Sequence, residues 1–367
     1  MCSSKIARNR MKRWILGFSL ITAALILAAC GRSTPMTAAD STLTVMTHDS
    51  FSVSEAVIAA FEEENNVTVL FIKAGDTGAA LNRAILTKNN PEADVFFGVD
   101  NTFLSRAIQE QIFEPYTPDA LAKVPDEFSD GTLGTVTPIS YGDVCINYDK
   151  AWFAESGLAV PQTLSDLSKP DYQARDGAAL LVVQNPATSS PGLAFLLATI
   201  SEYGEAGYLD FWQALKSNGV VVVNDWETAY YTNFSASSGR GAQPMVVSYA
   251  SSPVAEVIFA EQPLAETPTG SIIEGNSCFR QVEFAGVLKG AKHPEMAQRF
   301  IDFMLSPAFQ EDMPLQMFVY PVNPEAVLPD AFIRFAMVPE EPATLDSVLI
   351  ANKREEWIAA WSRLMLP

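Results

Sequence analysis

An alternation of two hydrophobic patterns near the start of the chain restricts the fold most strongly. Residues 43–47, 67–72 and 93–99 are short apolar runs with the composition of buried strands. The segment that begins after Ser54 and residues 77–87 have apolar side chains at helical spacing. This order of strand, helix, strand, helix and strand predicts a parallel sheet with right-handed crossovers.

The middle of the chain predicts a second α/β unit. Further strands are predicted at 141–148, 179–183, 220–223, 245–249 and 281–287. We expect lobe 1 to comprise 42–139 plus 282–318, and lobe 2 to comprise 140–281 plus 319–367, with a separate sheet in each. The expected fold class is therefore α/β with two lobes. Because ligands of parallel sheets bind beyond the carboxyl ends of the strands, we expect the ligand cleft between the lobes.

The net charge restricts the partners. The chain has 43 acidic and 24 basic residues, which gives a net charge of −19 at pH 7. Five of the bases and no acid lie in the first 29 residues, so removal of that segment would leave −24. Such a charge argues against nucleic acid and against electrostatic attachment to an anionic membrane.

The first 41 residues resemble an export segment. Basic residues precede an apolar run at 14–29, which is short for a spanning helix that needs roughly 20 residues. The run ends Leu27-Ala28-Ala29-Cys30, which resembles the bacterial lipobox. We therefore predict a lipoprotein signal peptide at 1–29, a lipid on Cys30 and a tether at 30–41. An ordinary signal or an uncleaved anchor with a chance cysteine is the alternative.

Two cysteines remain after this segment. An exported chain with Cys145 and Cys278 is expected to form one disulfide that closes a loop of 133 residues. In the chain-entropy model such a loop stabilises the fold by roughly 4–5 kcal/mol. The alternative is two separate buried thiols.

Two α/β lobes behind a lipid tether indicate a periplasmic-binding-protein-like fold with a ligand cleft between the lobes.

Six collinear segments carry a family resemblance that runs from residue 43 to about 323. They are VMTHDSF at 45–51, ADVFFGVDN at 93–101, NPATSSPGL at 185–193, WETAY at 226–230, VSYASSP at 247–253 and FMLSPAFQ at 303–310. Together they resemble the thiamine-binding proteins of bacterial thiamine ABC transporters. The resemblance implies an exported monomer without cofactor or enzymatic activity. It captures thiamine, a thiamine phosphate or a precursor, and closes around it to deliver it to a permease with its ATPase.

The resemblance also implies a site. Thiamine carries a permanent thiazolium cation, which needs aromatic faces and carboxylates. The implied ligand-binding residues are His48, Asp49, Ser50, Asp76, Asp100, Tyr141, Ser189, Ser190, Gly192, Trp226, Tyr249 and Phe318. Asp143 and Glu283 are two further carboxylates available to the site. His48 departs from a tyrosine of the family, and Phe318 stands where a tryptophan is expected.

Two other function classes compete. Tyr230 and Tyr231 resemble the paired tyrosines of ferric-binding relatives, although adjacent rings on an α-helix should point to different faces. The sequence Asp76-Thr77-Gly78 matches a motif of aspartic proteases, but those enzymes need two such aspartates and no second copy occurs. A ferric or other small-cation binder of the same fold is therefore the main alternative, and an exported hydrolase is the weaker one.

Overall fold

The structure is a computed structural model, and it describes residues 42–175, 177–236 and 241–366. The predicted signal peptide at 1–29, the lipid on Cys30 and the tether at 30–41 lie outside the described residues. Within those residues, no helix is both long and apolar enough to cross a membrane.

The strands lie close to the predicted positions. In chain order they are β1 (Thr42–Thr47), β2 (Thr68–Lys73), β3 (Val95–Asp100), β4 (Phe113–Glu114), β5 (Thr137–Asp149), β6 (Leu181–Gln184), β7 (Val221–Val223), β8 (Met245–Tyr249), β9 (Thr269–Ile272), β10 (Phe279–Leu288) and β11 (Tyr320–Pro321). The short strands β4, β9 and β11 were not predicted, because none of them is a continuous apolar run like those of β6 and β7.

The helices fill the intervals between the strands. They are α1 (Glu55–Asn65), α2 (Thr77–Leu86), α3 (Leu104–Gln109), α4 (Lys150–Ser156), α5 (Leu164–Leu167), α6 (Ser190–Ser217), α7 (Ser252–Ile258), α8 (Pro294–Met304), α9 (Pro307–Gln316), α10 (Asp330–Phe335) and α11 (Ser347–Met365). Short 3₁₀ helices cover Asp119–Lys123, Asp126–Ser129 and Pro170–Tyr172, and a π-helix covers Thr228–Asn233. Gly204, with φ of 68°, breaks α6 into two pieces. Ser54 occupies the N-cap position of α1, but its hydroxyl makes no capping hydrogen bond.

Two parallel units flank a central antiparallel pair. In the first unit β1 pairs in parallel with β2 and β3, and in the second β6 pairs in parallel with β7 and β8. Between them lie β10 and β5, so the strands follow the order β2-β1-β3-β10-β5-β8-β6-β7. The expectation of two separate sheets is therefore wrong. The sheet is continuous because β5 and β10 pair with each other, while β10 also pairs with β3 of the first unit and β5 also pairs with β8 of the second.

The predicted lobe boundaries at 139/140 and 281/282 fall inside β5 and β10. A crossing point inside a long strand leaves no loop or composition change, so a sequence pattern locates it only approximately.

The C-terminal tail contacts both halves of the fold. In α11 the Trp361 ring lies 5.4 Å from that of Trp212 on α6, and the Arg354 guanidinium lies 5.2 Å from the ring of Phe103, which precedes α3.

The two cysteines meet at the central strand pair. Val144 pairs with Phe279 across β5 and β10, which brings Cys145 opposite Cys278. Their sulfurs are bonded in the structure, and their Cα atoms lie 4.2 Å apart. Both cysteines are buried together with Ala250.

Candidate ligand-binding site

A pocket lies where the strand ends of the two units face each other. His48 follows β1, Asp76 precedes α2, Trp226 follows β7 and Tyr249 ends β8. The residues that line the pocket are His48, Ser50, Asp76, Thr77, Ser190, Pro191, Trp226, Tyr230, Tyr231, Tyr249, Ser252, Ala255, Glu283, Met317, Phe318 and Val319. None of these residues is a lysine or an arginine. The lining thus combines carboxylates, aromatic rings and hydroxyl groups.

Carboxylates surround His48 on one side of the pocket. The Nε2 atom of His48 lies 3.2 Å from Oε1 of Glu283, and Ser140 donates a hydrogen bond of 2.7 Å to the other oxygen of Glu283. Burial alone lowers the pKa of His48, but the hydrogen bond and charge of Glu283 and the charges of Asp76 and Asp100 outweigh it and raise that pKa. This side of the pocket therefore holds negative potential and one titratable base.

Asp76 connects the two halves of the fold. Its side chain accepts hydrogen bonds from the backbone N–H of Thr77 at 2.7 Å, of Ser190 at 3.4 Å and of Trp226 at 3.1 Å. The backbone N–H of Gly78 also donates to the carbonyl of Thr188 at 3.0 Å. Burial raises the pKa of Asp76, while the donors around it act in the opposite direction. The two halves are thus in direct contact at Asp76 and Gly78.

Aromatic rings form a second part of the pocket lining. Trp226 donates from Nε1 to the hydroxyl of Ser248 at 2.9 Å, which fixes its indole ring. The Tyr230 ring stacks on it at 5.0 Å with an interplanar angle of 18°, and the Tyr231 ring meets it edge-on at 5.4 Å. Adjacent tyrosines were expected to point to different faces, and this is wrong. The π-helix at Thr228–Asn233 has a wider turn than an α-helix, and both rings line the pocket.

Seven of the predicted residues line this pocket, namely His48, Ser50, Asp76, Ser190, Trp226, Tyr249 and Phe318. The hydroxyl of Tyr249 donates to Gln281 at 2.8 Å. Space for its ring depends on Gly142, since a β-carbon there would approach that ring to 2.8 Å. Phe318 presents its ring beside that of Phe259 at 5.6 Å, and its carbonyl accepts a hydrogen bond from Ser251.

Five predicted residues do not line the pocket. Asp49 accepts from the backbone of Gly75 at 2.9 Å, and Asp100 accepts from Thr102 and Gln281, where burial raises its pKa to about 6. Ser189 is fully buried at the N-cap of α6. Gly192 lies so close to Gln184 that any β-carbon would overlap its carbonyl, so it serves the packing of α6 on β6.

Tyr141 is the fifth, and it lies on the opposite face of β5. Its ring stacks between those of Phe128 at 4.8 Å and Tyr320 at 5.3 Å. Side chains alternate along a strand, and the neighbouring Ser140 faces Glu283 in the pocket, so Tyr141 must face away. The same alternation directs Asp143 to Arg280 on that far face.

Several lining residues were not predicted as ligand contacts. They are Thr77, Pro191, Tyr230, Tyr231, Ser252, Ala255, Glu283, Met317 and Val319. Glu283 was recognised only as an available carboxylate, and its position as the one acidic residue of the mostly apolar predicted strand at 281–287 was the usable signal. Within the described residues, no group of three histidine, cysteine or carboxylate side chains could hold a metal ion.

Two α/β halves that share two long strands and close over a polar and aromatic pocket define a two-lobed ligand-binding protein. The family model for bacterial extracellular solute-binding proteins matches residues 90–334, which is more than half of the chain. The chain belongs to this family.

Named relatives give a finer comparison. A thiamine-binding periplasmic protein of Salmonella typhimurium is 32% identical over 329 residues, which cover 88% of this chain and 92% of that protein. A solved periplasmic thiamin binding protein superposes with a TM-score of 0.77 at 30% identity, covering 89% of this chain and 96% of the other. A ferric binding protein from Campylobacter jejuni superposes with a TM-score of 0.67 at 16% identity, covering 88% and 99%, and shows the fold alone.

Proposed function

We propose that this protein captures thiamine, a thiamine phosphate or a thiamine precursor outside the cytoplasm and delivers it to an ABC importer. The observation that carries the proposal is the composition of the pocket. The lining contains the aromatic rings of Trp226 and Tyr249 and the carboxylates of Asp76 and Glu283, and it has no lysine or arginine. A permanent organic cation is the ligand that such a pocket favours.

Each side of the pocket has a distinct role in this proposal. Trp226 stacks on the ligand ring, where a desolvated cation–π contact contributes roughly 2 kcal/mol or more. Asp76 and Glu283 supply negative potential. Asp100 lies outside the pocket lining and accepts a hydrogen bond from Gln281. The hydroxyl groups of Ser50 and Ser190 offer hydrogen bonds to the polar ends of the ligand.

The mechanism is a change in the population of open and closed forms, without a chemical reaction. Ligand binds the open form and contacts both halves, so it stabilises the closed form. The closed form then docks on the permease, whose ATPase supplies the energy of transport. The names of the relatives as periplasmic proteins support export. The lipobox-like sequence that ends at Cys30 supports a lipid anchor. In this proposal the protein acts as a monomer.

The decisive experiment is a comparison of ligands by calorimetry. Thiamine, its mono- and diphosphate, and the uncharged aminopyrimidine fragment are titrated into the purified protein. Thiamine should bind, and the uncharged fragment should bind far more weakly because it lacks the thiazolium charge. Equal affinity for the fragment and for thiamine would contradict a cation site. Comparing the affinities for the two phosphates with the affinity for thiamine identifies the form that the protein binds most tightly.

Ferric iron is the second candidate, because Tyr230 and Tyr231 both line the pocket. Against it, the hydroxyl of Tyr230 donates to Glu256 at 2.7 Å, so this oxygen is already engaged in a hydrogen bond. Addition of ferric citrate should leave the protein colourless. A visible charge-transfer band that disappears in Tyr231→Phe would instead identify an iron site.

A further inference from the structure

We propose that His48 carries a proton in the ligand-free pocket and that the cationic ligand displaces this proton, so that binding exchanges one positive charge for another. This inference rests on the proposed function, because it requires a cationic ligand. Among the described residues that line the pocket, His48 is the one side chain that can become positively charged near neutral pH.

The position of His48 leaves it little contact with water. Its side chain lies against Gly98 of β3, where any β-carbon would overlap the imidazole ring. The Phe97 ring lies 5.8 Å away, and the residue is only 8% exposed. A buried imidazolium needs a negative partner, and Glu283 lies 3.2 Å away in ion-pair distance. The ring is thus held within the pocket and paired there.

Acidic groups face His48 from several elements. Glu283 lies on β10, Asp76 precedes α2 and Asp100 ends β3, while Glu227 interacts with it from the segment after β7. Tyr249 on β8 stays neutral, since burial raises its pKa further above the usual tyrosine value. Without a proton on His48, the ligand-free pocket would contain several carboxylates and no compensating cation. The imidazolium supplies this compensation until the ligand arrives.

The sign of the pH dependence follows from these contacts. Burial lowers the pKa of His48, but Glu283, Asp76 and Asp100 raise it above its usual value of about 6.5. A bound cation beside the ring disfavours the imidazolium, so the pKa of His48 is lower in the complex. Affinity should be constant above the ligand-free pKa. Below it, affinity should fall by up to about tenfold for each pH unit.

Calorimetry in two buffers measures the exchanged proton directly. Thiamine is titrated into the protein in phosphate and in Tris across pH 7 to 8.5, where Asp100, with a pKa of about 6, is mostly ionised. The difference in heat between the buffers gives the number of protons released. The wild type should release a fraction of one proton at pH 7 and less as the pH rises. His48→Tyr and His48→Asn should bind thiamine without releasing this proton.

The chain provides a matched control, because it has two histidines. His293 precedes α8 and does not line the pocket, so His293→Asn should release protons as the wild type does. Equal heats in both buffers at every pH would overturn the inference, as would undiminished release from both His48 variants. A ligand-free pKa of His48 below 6.5, measured by NMR, would overturn it without any ligand. Absence of thiamine binding by the wild type at pH 8.5 would instead contradict the proposed function.

Discussion

On one face of β10, Gln281 and Glu283 point to the pocket, whereas on the other face Arg280 and Val282 pack away from it. The neighbouring β5 shows the same division, with Ser140 facing the pocket and Asp143 facing away. Two central strands therefore present a polar binding face and a structural face. We therefore expect neighbouring residues on these strands to affect different properties: those on the binding face affect ligand affinity, and those on the structural face affect the free energy of unfolding.

The disulfide gives the largest expected effect on stability. Replacement of both Cys145 and Cys278 by serine removes a cross-link over 133 residues. The free energy of unfolding should fall by roughly 4–5 kcal/mol in the chain-entropy model. Denaturant unfolding of the variant and the wild type measures this difference, and thiamine affinity per folded molecule should stay the same. Mass spectrometry that found two free thiols in the unreduced wild type would contradict the prediction.

The ion pair on the structural face comes next. Arg280 donates two hydrogen bonds to Asp143, at 2.8 and 3.0 Å, and the Asp143 side chain is only 1% exposed. Asp143→Ala leaves a mostly buried guanidinium unpaired and should cost about 3 kcal/mol of unfolding free energy. Glu356→Ala is the control, because Glu356 is exposed and its partner Lys353 is only half-buried, so the loss should stay below about 1 kcal/mol. A loss of thiamine affinity in folded Asp143→Ala would contradict the division of these strands into a binding face and a structural face.

Trp226 tests the binding side of the comparison. Trp226→Ala removes the aromatic face for the ligand, so affinity should fall by about thirtyfold, equivalent to roughly 2 kcal/mol. Trp226→Phe should recover part of the loss because a smaller ring remains. Trp152→Ala is the control, since Trp152 lies on α4 outside the pocket lining and should leave affinity unchanged. A lower melting temperature with unchanged affinity in Trp226→Ala would make Trp226 a core residue.

The sequence predicted the α/β class and the main strands because buried strands consist of short apolar runs that are recognisable in the sequence. It also singled out Trp226 and Asp76, which lie directly beyond a strand end and at a helix start. Tyr141 was misplaced because resemblance identifies a segment, whereas the face of each side chain depends on the register of β5. Tyr230 and Tyr231 were assigned to different faces because sequence periodicity gives no sign of a π-helix.

That same π-helix provides the smallest and finest test. The hydroxyl of Tyr230 donates to Glu256 at 2.7 Å, and its ring lies under Trp226 at 5.0 Å. Tyr230→Phe keeps the stacked ring but removes this hydrogen bond, which typically contributes about 1 kcal/mol, so thiamine affinity should fall by up to about fivefold. Tyr231→Phe removes a hydroxyl from a residue that is 46% exposed and should change affinity by less than twofold. If calorimetry gave the two variants equal affinities, the Tyr230–Glu256 contact would have no part in holding the aromatic side of the pocket.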